Sequence, residues 1–430
     1  MVAPAICVLG AGLAGLSASV ALRQKGIPHR VFEANAEVGG LCRSTTEAGY
    51  TFDCTGHLLH LRDPAVDELV RALIEPENLL VIERRSAFYS HGSYAPYPFQ
   101  SNVAGLPKEL AFACVRDFVH AHFADPKPEV RTFEDYCVRH FGRAMSDALL
   151  IPYNEKVWGL HPRELSADWC ERFVPRPSLD DVLRGALGLE HRALGYNARF
   201  YFPRFGIGML AEALKDRAGS IEVASAATEI DLATRHVRVN EQSIPFDQLI
   251  STLPLPTLVR CLRGAPPSIT DAGASLRSVD VHYLDLALNT PSDLAHHWVY
   301  VPDPALPFYR VGVYSNFSQA MAPVAKASLY VELATKEPPL LSEVLPVVAD
   351  ALVSMRAIRG RDAVRFARLR TIKHAYVVYD GARAPAIERL HGFLREHRIE
   401  SVGRYGAWEY SSMEDAMVAG RRAADRIMEA

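Results

Sequence analysis

The sequence predicts an α/β protein: a Rossmann-like dinucleotide-binding domain built from discontinuous segments, with a helical domain and an antiparallel β-sheet domain. Three observations lead there. The short apolar run Ile6-Cys7-Val8-Leu9 leads straight into Gly10-Ala11-Gly12-Leu13-Ala14-Gly15. Residues 62–204 carry mostly helical apolar spacing, and residues 274–375 carry alternating, strand-like runs. The 430 residues suit roughly three lobes at about 150 residues each.

The amino-terminal elements follow in order. Leu13, Leu16, Val20 and Leu22 recur at roughly helical spacing up to Gly26, and Arg30-Val31-Phe32 makes a second strand ending at Glu33. In this βαβ setting Gly10 allows the tight turn, Gly12 admits a pyrophosphate to the backbone, and Gly15 lets helix and strand pack closely. Leu13 and Ala14 open the helix whose free N–H groups and positive dipole face the phosphates. Glu33 lies 21 residues after Gly12 and can accept both hydroxyls of an adenosine ribose. It would repel a 2′-phosphate, so the nucleotide is FAD or NAD rather than NADP. Glu37-Val38-Gly39-Gly40-Leu41-Cys42-Arg43 continues directly. Gly39 and Gly40 admit a second backbone segment to the dinucleotide, and Arg43 complements the pyrophosphate charge. This second approach favours FAD.

The remaining elements divide the chain into a dinucleotide domain (1–61, 205–273 and 376–430), a mainly helical domain (62–204) and a sheet domain (274–375). Helices are expected over Ala65–Leu73, Leu106–Phe123, Phe133–Phe141 and Leu179–Leu187. Near Gly206-Ile207-Gly208-Met209 the first domain resumes, with a helix at Leu210–Arg217, a strand Ile221-Glu222-Val223, and a hairpin of 229–232 with 236–240. A core strand follows within 246–254. Ser401-Val402-Gly403-Arg404 precedes a last helix from about Asp415 to Met428. In the sheet domain the strands are Val279–Leu288, Trp298–Val301, Tyr309–Tyr314 and Leu329–Leu333.

Composition excludes several classes. Hydrophobic residues are 49% and charged residues 23% of the chain, with 27 Gly and 28 Pro scattered. That is neither disordered nor low-complexity. A formal charge of −3 offers no global attraction to nucleic acid or anionic membranes. Seven cysteines form no CxxC pair, against both a disulfide framework and a metal knuckle. Reduced thiols in a cytoplasmic protein are expected, with no bound metal. The segment up to Leu22 is uncharged, but its glycines and the lack of a basic start argue against a signal or membrane span.

Several stretches have chemical potential. Tyr94-Ala95-Pro96-Tyr97-Pro98-Phe99-Gln100 reads as a stiff loop, either packed on the surface or stacking a base whose edge meets Gln100. Asn154 and Trp158, at i and i+4, share one helix face; Trp158 serves as a platform or simply as packing. Trp298 and Tyr300 point to one side of a strand. Arg310 sits among apolar strand residues, so it expects an anion, either an internal carboxylate or a bound phosphate. Arg404, in Gly403-Arg404-Tyr405-Gly406, repeats that argument. Tyr376, Tyr379 and Tyr410 add hydroxyls.

Together these stretches resemble the UDP-galactopyranose mutase family, closest to its eukaryotic branch, within the FAD-dependent amine oxidase superfamily. The resemblance runs along nearly the whole chain. It implies that Gly56-His57 lies against the flavin, and that Tyr97, Phe99 and Gln100 form a uracil loop beside Asn154 and Trp158. It brings Arg172, from Trp169-Cys170-Glu171-Arg172, and Asn197 to the sugar. It assigns Trp298, Tyr300, Arg310, Tyr379 and Tyr410 to the substrate, with Arg310 on the diphosphate. Arg404 falls among its diphosphate and flavin-side residues, and Val223, Gly403, Ser412 and Met413 join the FAD contacts. His57 would assist the flavin's proton balance, because an ordinary imidazole titrates near neutrality. The implied activity interconverts pyranose and furanose forms of a UDP-hexose through a reduced-FAD N5–sugar adduct, without net redox. NAD(P)H is the possible external reductant, and a homo-oligomer is possible. Departures exist: Ser411-Ser412-Met413-Glu414-Asp415 stands where the family shows Asn and an Asp-His pair, and Asp380 follows Tyr379 in place of Pro. The rival reading is an FAD-dependent oxidoreductase of the same superfamily, which would want an apolar pocket.

Overall fold

The computed structural model describes residues 5–189 and 198–429. A five-stranded parallel sheet runs in the order Ile399–Ser401, Gln248–Ser251, Ile6–Leu9, His29–Phe32, Ser220–Glu222. Ile6–Leu9 is central and buried at every position, as a short apolar run flanked by two parallel neighbours should be. Each such side chain contributes about 1.5–3 kcal/mol by leaving water. The helix Leu13–Gln24 follows at once, and a Cβ at Gly15 would stand 1.9 Å from the Gly10 carbonyl oxygen. That contact is the close helix–strand approach expected of Gly15. The last helix, Met413–Glu429, packs against Leu13–Gln24. It starts two residues before the expected Asp415, because Ser412 caps it: the Ser412 hydroxyl accepts the Asp415 N–H at 3.1 Å, and the Asp415 carboxylate accepts the Ser412 N–H at 2.8 Å.

The second large sheet has seven strands: Val364–Val377, Ser278–Leu288, Ala327–Leu333, Phe308–Val313, Trp298–Tyr300, Ser86–Ser90, Ser93–Pro96. All neighbours are antiparallel except Trp298–Tyr300 with Ser86–Ser90, which is parallel. Strand pairing crosses the sequence-derived boundaries in two places. Residues 86–96, expected in the helical domain, complete this sheet, and its long edge strand continues to Val377. The supposed stiff loop after Ser93 is therefore partly strand, because Pro96 sits at the end of an edge strand where no N–H is needed. Pairing also joins Leu79–Glu83 to Arg199–Pro203 within the otherwise helical stretch.

The helices Pro64–Leu73, Lys108–Phe123, Phe133–Phe141 and Leu179–Ala186 form close to expectation. Three have clear start signals: Asp63, Thr132 and Ser178 each accept backbone N–H groups of their first turn. All seven cysteines are free thiols. Among the described residues no helix is long and apolar enough to cross a membrane.

Candidate functional site

A cavity of about 580 Å³ lies where the ends of the parallel strands meet one face of the seven-stranded sheet and the helix Ile151–Trp158. Its floor is backbone. Gly12, Leu13, Ala14, Gly39, Gly40, Gly403, Ser412 and Met413 all line it. Gly12 and Gly39 form an isolated parallel bridge, the Gly39 N–H reaches the Ala11 carbonyl at 2.7 Å, and a Cβ on Gly40 would stand 3.2 Å from the Gly12 Cα. No side chain caps the helix that starts after Gly12, so its N–H groups face the cradle. Glu33 is buried, and its carboxylate accepts Ala11 N–H at 2.8 Å and Asn35 N–H and side-chain amide at 2.9 and 2.7 Å. It is thereby fixed at the end of its strand with lone pairs to spare for a ribose. This uncapped helix end, backbone cradle and anchored carboxylate fit a dinucleotide such as FAD.

Some expected cofactor residues lie off this wall. Gly10 and Gly15 shape the turn beneath it. Arg43 sits beyond Gly40, near enough to Cys54 to lower that thiol's burial-raised pKa. Val223 is 41% exposed just past the edge strand Ser220–Glu222. Asn197 lies outside the described residues.

The roof and walls are side chains from distant segments. His57, Tyr97, Phe99, Gln100, Asn154, Trp158, Arg172, Trp298, Tyr300, Arg310, Tyr379, Arg404 and Tyr410 all line the cavity. Sheet register puts Tyr300 opposite Arg310 and Arg310 opposite Glu332. Of the two anions Arg310 could meet, the internal one is present. Its Nε donates to Glu332 Oε2 at 2.9 Å and its Nη2 to Oε1 at 2.5 Å. The fork leaves Nη1 for a second anion. Sequence reasoning missed Glu332, although a lone carboxylate in the run Leu329-Tyr330-Val331-Glu332-Leu333 poses the same question as Arg310.

Other polar groups are also partly committed. Gln100 gives its amide N–H to the Pro175 carbonyl at 2.9 Å, and its buried Oε1 has no partner. Asn154 donates to the Leu150 carbonyl, just before its own helix, at 2.8 Å, which leaves its side-chain carbonyl for a ligand. Arg172 pairs with Asp415 at 2.9 Å. Arg404 donates to the Ser411 and Ala375 carbonyls at 3.0 and 2.6 Å. The Tyr379 hydroxyl accepts the Tyr410 N–H at 2.8 Å.

His57 requires a correction. Burial, then the positive Arg404, lower its imidazole pKa to about 4. It is neutral at physiological pH, not a group titrating near neutrality, and its buried Nδ1 has no partner. Gly56 explains the position of this loop: a Cβ there would stand 2.3 Å from the Tyr330 hydroxyl. Burial also holds the Tyr153, Tyr330 and Tyr376 phenols well above their usual range, so they remain neutral donors.

Arg84, which carried no sequence signal, lies 4.1 Å from the Tyr97 ring centre and 5.0 Å from that of Trp298. Tyr97 and Tyr300 rings are 4.9 Å apart, and Tyr376 stacks on Tyr410 at 6.0 Å. The wall thus holds five guanidinium groups (Arg62, Arg84, Arg172, Arg310, Arg404) against two lining carboxylates, Glu332 and Asp415, and a third, the buried Glu414, which accepts Arg62 Nε at 2.9 Å from behind. The excess suits a ligand with two negative charges and a flat ring. No metal-binding cluster occurs among the described residues.

Comparison with known proteins agrees with this geometry. The chain is 23% identical to protoporphyrinogen oxidase 2 of Arabidopsis thaliana over 209 residues, which is 45% of this chain and 41% of that protein. It is 24% identical to a probable UDP-galactopyranose mutase of Klebsiella pneumoniae over 226 residues, 51% of this chain and 55% of that protein. It thus spans about half the length of these curated relatives. Among solved structures, a reduced UDP-galactopyranose mutase superposes with a TM-score of 0.94 at 26% identity, over 99% of this chain and 96% of that one. A putative protoporphyrinogen oxidase from Exiguobacterium sp. 255-15 shares the fold over 100% of both chains, with a TM-score of 0.77 at 16% identity. The resemblance read from the motifs therefore extends over the whole backbone. A family model described as flavin containing amine oxidoreductase matches residues 13–428, and the chain belongs to that family of FAD-dependent enzymes.

Proposed function

We propose that this chain is a flavin-dependent nucleotide-sugar mutase, interconverting pyranose and furanose forms of a UDP-hexose of the galactose type. The observation behind this reading is the charge of the cavity: five guanidiniums against three carboxylates, the lining Glu332 and Asp415 and the buried Glu414 behind Arg62, directly above the dinucleotide cradle. An amine oxidase, whose substrate is itself a cation, has no use for that excess.

Gly10, Gly12, Glu33, Gly39, Gly40, Arg43, Gly403, Ser412 and Met413 would hold FAD, with Val223 at the adenosine end. Bound and reduced, FAD would supply a nucleophilic nitrogen for the anomeric carbon, with no net redox change. The chain's residues do the rest. Tyr97, Phe99, Trp158, Trp298 and Tyr300 offer flat faces for the uracil, and the unpaired Gln100 Oε1 and the Asn154 carbonyl accept from its N–H edge. Arg310, held by Glu332, presents Nη1 to the diphosphate, where charge builds as the nucleotide leaves. Tyr300, Tyr376, Tyr379 and Tyr410 add phenol hydroxyls around it. Arg172 and Asn197 would meet the sugar. Neutral His57 fits as a hydrogen-bonding neighbour of the flavin edge. NAD(P)H is the proposed reductant, and the chain is proposed to act in the cytoplasm.

The test is direct. Dithionite-reduced protein is incubated with UDP-galactofuranose and other UDP-sugars, and pyranose and furanose products are separated by chromatography. Ring interconversion without consumption of reductant is expected. Substrate-dependent flavin reduction by an amine or porphyrinogen, with no ring interconversion, would move the chain to the oxidoreductase reading that the Arabidopsis relative represents.

A further inference from the structure

The helix Ile151–Trp158 has a cavity on each side. Asn154 and Trp158 face the main one, while Pro152, Glu155 and Lys156 line a second of about 310 Å³, closed by residues of the seven-stranded sheet and the 333–336 loop. Val157 and Val281 line both. Nothing in the proposed reaction uses the second cavity.

Its polar groups are unevenly matched. Tyr309 is 1% exposed, and its buried hydroxyl has no partner; the Thr335 hydroxyl is likewise buried and unpartnered. A buried hydroxyl without a partner is unfavourable, so both invite a ligand. Lys156 Nζ donates to the Val301 and Asp303 carbonyls at 3.0 and 2.7 Å, which leaves its third N–H. Burial lowers this lysine to about 8, so it is still largely cationic at neutral pH. Lys336 lays its stem 3.2 Å from the position of a Cβ on Gly159. Of the two carboxylates on this wall only Asp280 is engaged by hydrogen bonds. Asp280 accepts Lys373 Nζ at 2.6 Å and the His374 N–H at 2.9 Å, and Glu155 stands 3.7 Å from His161 Nε2.

We propose that this second cavity binds a small oxyanion, a phosphate or carboxylate group, through Lys336, Lys156 and the hydroxyls of Tyr309 and Thr335. One anion satisfies both orphaned hydroxyls and gains two ammonium partners. The site backs onto the helix bearing Asn154 and Trp158, and onto the strand where Tyr309 precedes Arg310, so it is separate from the main cavity but packed against its wall. The inference does not depend on which reaction the main cavity performs.

Calorimetric titration of the FAD-loaded protein with inorganic phosphate, and separately with malonate, tests it at constant ionic strength. Saturable binding of at least one anion is expected, and the anion that binds identifies the chemistry. Lys336→Ala and Thr335→Val should each weaken binding by about tenfold, with Tyr309→Phe acting in the same direction, while the flavin spectrum stays unchanged. No saturable binding of either anion overturns the proposal. Equal affinity in wild type and all three variants does so too, since it would put the anion in the main cavity.

Discussion

The cradle and the chamber above it share one cavity but differ in how they are made. The cradle uses backbone: the bridge between Gly12 and Gly39, the uncapped helix end at Leu13, and one carboxylate already anchored by Ala11 and Asn35. The chamber uses long side chains from far apart in the chain, and three of its cations arrive with carboxylates of their own, Arg310 with Glu332, Arg172 with Asp415 and Arg62 with Glu414. Backbone donors are oriented by the secondary structure that presents them. A guanidinium on a flexible stem needs a partner to stand still, and Glu332, Asp415 and Glu414 supply it. The two halves should therefore fail differently when altered.

The largest effect is expected in the cradle. Gly15→Val puts a branched side chain where a Cβ alone would be 1.9 Å from the Gly10 oxygen. Purified protein should carry no flavin absorbance, and normal flavin content would contradict the backbone account. In the chamber, Arg310→Ala should keep FAD but lower turnover by about 10³-fold. It should also destabilise the fold by about 3–5 kcal/mol, because Glu332, 1% exposed, is left buried and unpaired. Arg310→Met combined with Glu332→Leu should restore the melting temperature without restoring turnover. Recovery of both would make the pair purely structural.

His57 sharpens the comparison by pH. Its native pKa is depressed, so the unfolded chain binds that proton more tightly. The stability it permits is full above about 6.5 and is lost as pH falls toward 4. Unfolding titrations of wild type and His57→Gln should diverge in that window, and parallel curves would mean an imidazole that is not desolvated. The smallest effect belongs to Asp415→Asn. The Arg172–Asp415 pair is half exposed on the arginine side, so KM should rise only about two- to fivefold with kcat nearly unchanged. A large fall in kcat would show that Asp415 does more than position Arg172 and cap the last helix with Ser412.

The chain's own order explains what could be read in advance. Strand, glycine turn, helix, strand and Glu33 lie within the first 33 residues, and each is set by local backbone chemistry. Helix starts at Asp63, Thr132 and Ser178 are legible for the same reason. The cap formed by Ser412 and Asp415 has an equally local pattern, which could have placed that helix start correctly. Residues 86–96 could not be assigned to the sheet, because their parallel partner Trp298–Tyr300 lies some two hundred residues away and strand patterns do not name their neighbours.

By itself the sequence determined the dinucleotide cradle, since a turn that only glycine tolerates and an uncapped helix end are properties of neighbouring residues. It also showed that Arg310 needs an anion. Only the tertiary structure decided which one: register between Phe308–Val313 and Ala327–Leu333 sets Glu332 opposite the guanidinium. Tertiary burial likewise decided that His57 is neutral, because desolvation depends on what packs around a ring and not on the residues beside it in the chain.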